Sequence, residues 1–504
     1  MTDHKSNSSQ KPLPQRLSRR EMLKLMGIGS SALALGGLAG CAPIVVQQAP
    51  PPAEEPASEA AAGEAAAPAA APGSMLEFLA VAAAPFQGTE LNVLAINSAQ
   101  IVAFEHVIPH FEEATGIKVN LEKGGEAEIL TKLDLELTSG AGAYDMLHVF
   151  SQAMPKYVKA EWLSPLDEYL NDPALTNDEF YMFDDFFAST VKQLSGNGQL
   201  MAAPLFVATQ IFYYRKDIFE ENGVAKLPDT FEELAQVCEA VDGKPLKAFA
   251  TRGARGQTLN MWNWTVYLYG FGGEFFASYD PASPDFMKPI LDQPEAIEAA
   301  DYYASMIQKY SPEGTVSWGW QESSRAFKQG QVAMIQEGSP FGGPFMDPEQ
   351  SEVASEDMLA CFLIPGGPAG RSAPSAAHGW AIPQGSKQKE AAWLLVEWAT
   401  APESWFISTI ETPYAMAPRA SVWAQDAFKE KYGWDAYLDS VVGAFEAAGD
   451  WPHYLPPIPE YPDVGEEVGR FLQDVIAGER PAAEALAEAN EVVFKIMEDA
   501  GYYG

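Results

Sequence analysis

From residue 91 onward, short runs of β-forming residues alternate with helical stretches of about ten to fifteen residues, a pattern that builds βαβ units on a parallel sheet. Residues 91–96 (LNVLAI) read as a strand and 102–114 as a helix that stops at Thr115-Gly116. A second strand spans 117–121. A helix follows over 128–138, with Leu130, Leu133 and Leu137 on one face. The Ser139–Gly142 break leads to a third strand at 144–150. The pattern then recurs, with strands at 212–214, 331–335 and 358–364. Helices are expected at 230–238, capped by Thr230 with Glu233 three residues later, and at 295–310, 389–399 and 482–497. About 415 residues are too many for one compact core and suit two α/β lobes.

The first ninety residues cannot join such a fold. Arg16, Arg19, Arg20 and Lys24 flank or open an apolar, small-residue run over 25–40 that ends at Cys41. A basic flank, a short apolar core and a small-residue exit describe an export signal. The run is short and rich in Gly and Ser for a transmembrane span, a helix that stays in the membrane being the alternative. The Ala/Pro/Glu-rich stretch that follows has almost nothing to bury, so 41–88 is expected to be an unfolded, extended tether.

The formal charge of −37 disfavours nucleic acid and anionic membrane surfaces as partners. It does not by itself imply a cationic ligand. After Cys41 only Cys238 and Cys361 remain. Neither has a CxxC context, and both are expected as buried free thiols, a disulfide between them being the alternative. His106 and His110 have helical metal-ligand spacing, but Pro109 lies between them and no third ligand is evident. No cofactor or metal is expected.

Two N-terminal motifs resemble known signals. Ser18-Arg19-Arg20 with Leu23-Lys24 resembles the twin-arginine export signal, and Leu38-Ala39-Gly40-Cys41 the lipobox of bacterial lipoproteins. The resemblance implies a signal over 1–40, lipidation of Cys41, and anchorage on the outer face of a bacterial cell membrane. Its partners would be the twin-arginine exporter and the lipoprotein-processing enzymes.

The folded part resembles the bacterial extracellular solute-binding proteins of family 1, the maltose-binding-like class. The likeness rests on an ordered set of segments: FEEATGIKV (111–119), AYDMLHVF (143–150), FYYRKDIFEENGV with LPDTFEEL (212–234), FKQGQVAMIQEGS (327–339), HGWAIPQGSKQKEAAWLLVEWA (378–399) and the final segment from 456. It implies a two-lobed periplasmic-binding-protein fold of type II. Each lobe would hold a mainly parallel sheet flanked by helices, with the ligand cleft between lobes. One lobe would comprise 89–204 and 378–450, the other 210–365 and 458–504. Hinge crossings would lie near 204–209, 365–377 and 451–457. The implied role is the monomeric binding component of an ABC importer, delivering a captured solute to membrane permease subunits.

A sugar presents hydroxyls around an apolar C–H face, and its site needs aromatic platforms with carboxylate, amide and guanidinium groups at the rim. The resemblance points to Asn97, Ser98, Gln100, Glu126, Ser151 and Gln152 on the first lobe. Asp145 is a further candidate there, with the alternative that a strand-end acid only holds backbone amides. On the second lobe it points to Trp264, Glu337 and the Gly338 amide, with Trp320 behind them. Trp380 and Arg419 come next. Core packing competes with ligand contact for each aromatic, and a surface ion pair is the alternative for Arg419. Trp393 and Trp398 fit a helix pattern and are expected to pack.

The expected function is reversible capture of a carbohydrate, without catalysis. A surface-anchored glycoside hydrolase using two acids is the enzymatic alternative, though 69 acids make pairs inevitable. A non-sugar solute such as a polyamine is the other.

Overall fold

The computed structural model describes residues 73–243, 246–448 and 455–503. Arg19, Arg20, Cys41 and residues up to 72 lie outside the described residues, as do 451–454 of the last expected crossing. The chain is already helical at α1 (Met75–Ala82), inside the range expected for the tether. Met75, Phe78 and Leu79 give that helix a buried face, so it joins the core instead of extending away from it.

The first units follow the expected alternation: β1 (Glu90–Ile96), α2 (Ala99–Thr115), β2 (Lys118–Gly124), α3 (Glu126–Ser139) and β3 (Met146–Phe150). β1 runs parallel to both neighbours, with Val93 opposite Leu121 of β2 and Met146 of β3. Both helices end on a left-handed glycine, Gly116 and Gly140, whose amide caps the last turn. A two-residue ladder of β4 (Ser195–Gly196) and β5 (Gln199–Leu200) follows.

β6 (Ala203–Arg215) is far longer than its apolar centre suggests. Pro204 and the polar pair Thr209-Gln210 interrupt the β-forming pattern, yet twelve of its thirteen positions are buried. The rest of the chain adds α4 (Phe231–Val241), β7 (Lys247–Ala250), α5 (Asn260–Phe271), α6 (Pro294–Tyr310), α7 (Trp320–Lys328), β8 (Val332–Gly338), β9 (Leu359–Phe362) and β10 (Ser375–Ala381). It closes with α8 (Lys389–Thr400), α9 (Tyr437–Ala447), α10 (Tyr461–Ile476) and α11 (Ala482–Asp499).

The strand order is β2-β1-β3-β10-β6-β8-β7, with β9 also paired to β6. Up to Thr209, β6 pairs with β10; from Gln210 it pairs with β8, and from Phe212 also with β9. One continuous strand therefore joins the β1 side of the sheet to the β8 side. β7 and β8 are parallel, and the pairings of β6 and β10 are antiparallel.

α8 is buried along nearly its whole length. Trp393 and Trp398 lie within it as packing groups, each satisfied by one hydrogen bond: Nε1 of Trp393 donates to Thr176 Oγ1 (2.9 Å), and Nε1 of Trp398 to the Val107 carbonyl (2.9 Å). Cys238 in α4 and Cys361 in β9 are buried free thiols. Among the described residues, no helix is long and apolar enough to cross a membrane. His106 pairs with Glu411 at 2.6 Å.

Candidate solute-binding site

A cavity of about 370 Å³ opens where the C-terminal ends of β1, β3 and β8 meet the middle of β6. That size suits a small organic ligand, and the ends of parallel strands are where open α/β sheets place ligands. The β1 wall consists of the turn from Asn97 to Gln100 and of Glu126, the first residue of α3. The β8 wall consists of Arg252, Thr258, Trp262, Trp320, Gly338 and Phe341. Phe206 and Ala208 of β6 form the floor together with His148, Phe150 and His378.

The two walls already touch. Glu126 accepts a hydrogen bond from the Trp320 indole at 2.8 Å and another from the Thr258 hydroxyl. Thr258 is fixed in turn by Arg252, whose Nη1 donates to its carbonyl at 2.6 Å. The same guanidinium grips Glu337 with two nitrogens, Nε at 3.1 Å and Nη2 closer. Glu337 is fully buried. A chain of charge-assisted contacts therefore runs from the core of the β8 side to the opposite wall.

Trp262 is held from behind. The Gln210 side chain donates to its carbonyl at 2.6 Å, and Gln336 donates to Gln210 Oε1 at 2.7 Å. Tyr267 donates to Gln336 Oε1 at 2.7 Å, and Asn263 to the Gln336 carbonyl at 3.0 Å. These buried side chains hydrogen-bond to one another and fix the first turn of α5 against β6 and β8.

Below them, His148 Nε2 and His378 Nδ1 lie 3.0 Å apart. Burial pulls the His148 imidazole down to about 3. Burial, then the neighbouring His148 and Arg252, hold His378 well below its usual range. Both rings are neutral at physiological pH. Lys328, near the mouth, is lowered by burial and by Arg325. Among the described residues, Glu126 is the one acid lining the cavity.

Asn97, Ser98, Gln100, Glu126, Gln152, Trp320 and Gly338 line the cavity together. The other expected residues stand elsewhere. Asp145 takes the alternative given to it: Oδ2 accepts from the Asn92 amide (3.0 Å) and Oδ1 from Ser386 (2.7 Å). Ser151 is buried, its oxygen accepting from the Ala377 amide at 3.2 Å. Glu337 acts through Arg252. Trp264 is wholly buried and packs toward Phe275. Two helical positions turn about 200°, so the cavity receives Trp262 instead. Trp380 shares its sheet face with His378 but lies one rung deeper, against Phe104 of α2 at 4.9 Å. Arg419 is also fully buried. It donates to the carbonyls of Thr400 (2.5 Å) and Met182 (2.9 Å) and lies over the Phe186 ring at 3.6 Å. It clamps two segments of the first core.

Arg252, Thr258, His148 and His378 are not legible in the sequence as site residues, and Trp262 stands there only as one aromatic platform among several. For His148 the signal was strand alternation: it precedes Phe150 by two and shares its face. Arg252 carried none, since its role depends on β7 ending beside β8.

Residues 97–404 match the family described as bacterial extracellular solute-binding protein. The chain is similar to the erythritol/L-threitol-binding protein of Mycolicibacterium smegmatis, with 25% identity over 508 residues covering 96% of this chain and 98% of the relative. It is also similar to the mannitol-binding protein of Pseudomonas aeruginosa, with 25% identity covering 82% and 95%. Among solved structures, a solute-binding protein of Agrobacterium vitis with bound D-mannitol superposes with a TM-score of 0.73 at 24% identity, covering 82% of this chain and 99% of that one. The maltose-bound MalE3 of T. maritima does so with 0.70 at 20% identity, covering 81% and 100%. The fold is thus the two-lobed type II periplasmic-binding-protein fold, of α/β class.

Proposed function

Because this chain belongs to the bacterial extracellular solute-binding proteins, we propose that it is the receptor of an ABC importer and captures a small neutral polyol or sugar. The observation that carries the ligand class is the make-up of the cavity. Aromatic rings of Trp262, Trp320, Phe150, Phe206 and Phe341 alternate with amides and hydroxyls, and the single lining acid, Glu126, is already engaged by Trp320 and Thr258. A polyamine would need several free carboxylates converging on it, and this cavity has cations at its wall instead. The relatives that bind erythritol, L-threitol and mannitol favour polyols over longer oligosaccharides.

Capture proceeds by closure. The lobes would be 89–204 with 378–450 and 210–365 with 458–504, with α9 packed on β6 and β9 of the second, and β6 would be the central hinge crossing. A solute that contacts both walls stabilises the closed state by its differential affinity. The proposed role is binding without chemistry: glycoside hydrolysis needs two carboxyl groups at the scissile bond, and among the described residues the lining supplies Glu126. Export through the twin-arginine signal and lipidation at Cys41 would hold the receptor beside its permease, as a monomer.

Thermal-shift measurements with mannitol, ribitol, erythritol, tagatose, maltose and spermidine test the ligand class. Stabilisation by polyols or sugars is expected. A shift with spermidine alone would defeat the assignment. Cys41→Ser is expected to move the protein from the membrane to the soluble fraction. Retention in the membrane would place the anchor in the apolar run before it.

A further inference from the structure

Two imidazoles sit at the floor of the cavity in one plane of the sheet. His148 of β3 is buried; His378 of β10 lines the cavity. In register, His378 lies opposite Phe150, and Trp380 opposite His148, so all four side chains share one face. His378 is stacked on Phe206, with centroids 4.0 Å apart, and meets the edge of Phe150 at 4.5 Å. Gly379 allows the close approach of β10 here: a Cβ on it would come within 2.8 Å of Ala202 Cβ. The ring of His378 is therefore fixed in position and tilt.

Its proton is fixed as well. A single hydrogen bond of 3.0 Å joins His148 Nε2 and His378 Nδ1, so one nitrogen carries hydrogen and the other is bare. His148 Nδ1 is buried and has no hydrogen-bond partner. If the hydrogen between the rings belonged to His378, neutral His148 would carry its own on Nδ1, leaving a buried N–H without an acceptor. If it belongs to His148 Nε2, only a bare nitrogen is left there. An orphaned buried donor is the costlier and rarer of the two defects. His148 therefore donates and His378 Nδ1 accepts, which puts the remaining hydrogen of His378 on Nε2, the nitrogen left to meet a ligand. Arg252 nearby opposes a second proton on the ring.

We propose that His378 is a specificity-determining residue that donates its Nε2–H to one hydroxyl or ether oxygen of the solute, and that His148 is the positioning residue that fixes this tautomer. The inference rests on reading the cavity as the solute site. A neutral donor between two aromatic rings donates to a polyol oxygen and offers no negative charge to a cation. An amine nitrogen, protonated at neutral pH, would face a donor with a donor.

The test has two arms. Imidazole nitrogen NMR on the intact folded chain is expected to show His378 neutral with hydrogen on Nε2, its resonance shifting when D-mannitol or ribitol is added. Hydrogen on Nδ1, or an imidazolium at pH 7, overturns the proposal. In titration calorimetry with the same polyols, His148→Gln keeps an N–H donor toward His378 and is expected to stay within about threefold of wild type. His148→Leu removes the donor and is expected to weaken binding at least tenfold, with His378→Phe weaker still. A folded His148→Leu protein that binds like wild type overturns the positioning role. If wild type binds none of the polyols or sugars, the solute assignment fails, and the tautomer in the NMR spectrum still decides the imidazole pair.

Discussion

The Glu126 carboxylate accepts the Trp320 indole N–H at 2.8 Å across the mouth of the cavity, joining the first turn of α3 to the first turn of α7. The two residues are 194 positions apart in sequence, on opposite sides of the strand that joins the two halves of the sheet. The same carboxylate holds Thr258. It is one element of closure that needs no solute.

Removing this contact separates closure from ligand chemistry. Glu126→Ala leaves Trp320 and Thr258 without their acceptor, and loss of hydrogen bonds to a charged group costs about 1.5–3 kcal/mol. Polyol affinity is expected to fall roughly tenfold to a hundredfold. Glu126→Gln keeps an oxygen for the indole and should retain most of it. Calorimetric titration checks both; equal affinity of wild type and Glu126→Ala would remove Glu126 from the closure mechanism.

The two tryptophans at the start of α5 should behave oppositely. Trp262 lines the cavity and Trp264 is packed in the core. Trp262→Ala is expected to abolish measurable polyol binding in a protein that still melts cooperatively. Trp264→Ala is expected to destabilise by about 3–5 kcal/mol with near-normal affinity in the folded fraction. Thermal melts and titrations on both variants read the contrast.

That contrast also shows what the sequence could and could not disclose. The αβ alternation, the helix over 389–399 and its packing tryptophans follow from periodicity, because a buried face repeats along one element. Trp320 stands in a segment of loop character, and Glu126 is marked by the family resemblance alone. The resemblance points to Trp264 and Trp380 while the cavity receives Trp262 and His378, because a sequence marks an aromatic without marking its direction. The direction depends on helix phase in one case and on depth along β10 in the other. Arg419 could not be told from a rim arginine, since the carbonyls that satisfy it, at Met182 and Thr400, come from distant segments. The sequence discloses only the aromatic centre of β6, for its outer half gains its pairing only from β10, some 170 residues later.

Arg252 and Glu337 form a buried pair, and a buried pair is most costly when half is removed. Arg252→Met leaves the Glu337 carboxylate inside the β8 side without its partner, and an unfolding free energy lower by about 3–5 kcal/mol is expected. The double variant Arg252→Met with Glu337→Leu should recover much of that loss. It should not recover polyol binding, because Thr258 loses the guanidinium that holds its carbonyl. Denaturant unfolding with titration of each variant separates the two effects; restored binding in the double variant would place the pair's role in stability alone.

The neutral imidazoles predict how stability depends on pH. His148 is pulled down to about 3 by burial, against 6.5 for a free ring, and His378 moves in the same direction. Between those values the unfolded chain binds protons that the folded chain refuses, so falling pH favours unfolding. The stability these groups contribute is whole above pH 6.5 and is lost as pH falls below it, by roughly 1.4 kcal/mol per pH unit for each ring. Glu397 works in the opposite sense. Burial raises its carboxyl well above 4.5, so it opposes folding as pH rises above that value and there partly offsets the histidines. Thermal melts from pH 7.5 to 4 should show a falling midpoint in wild type. His148→Gln, which has no ring to protonate, should have a shallower acid limb while keeping the amide donor to His378. Parallel limbs in the two proteins would mean that His148 is not the group whose proton is excluded.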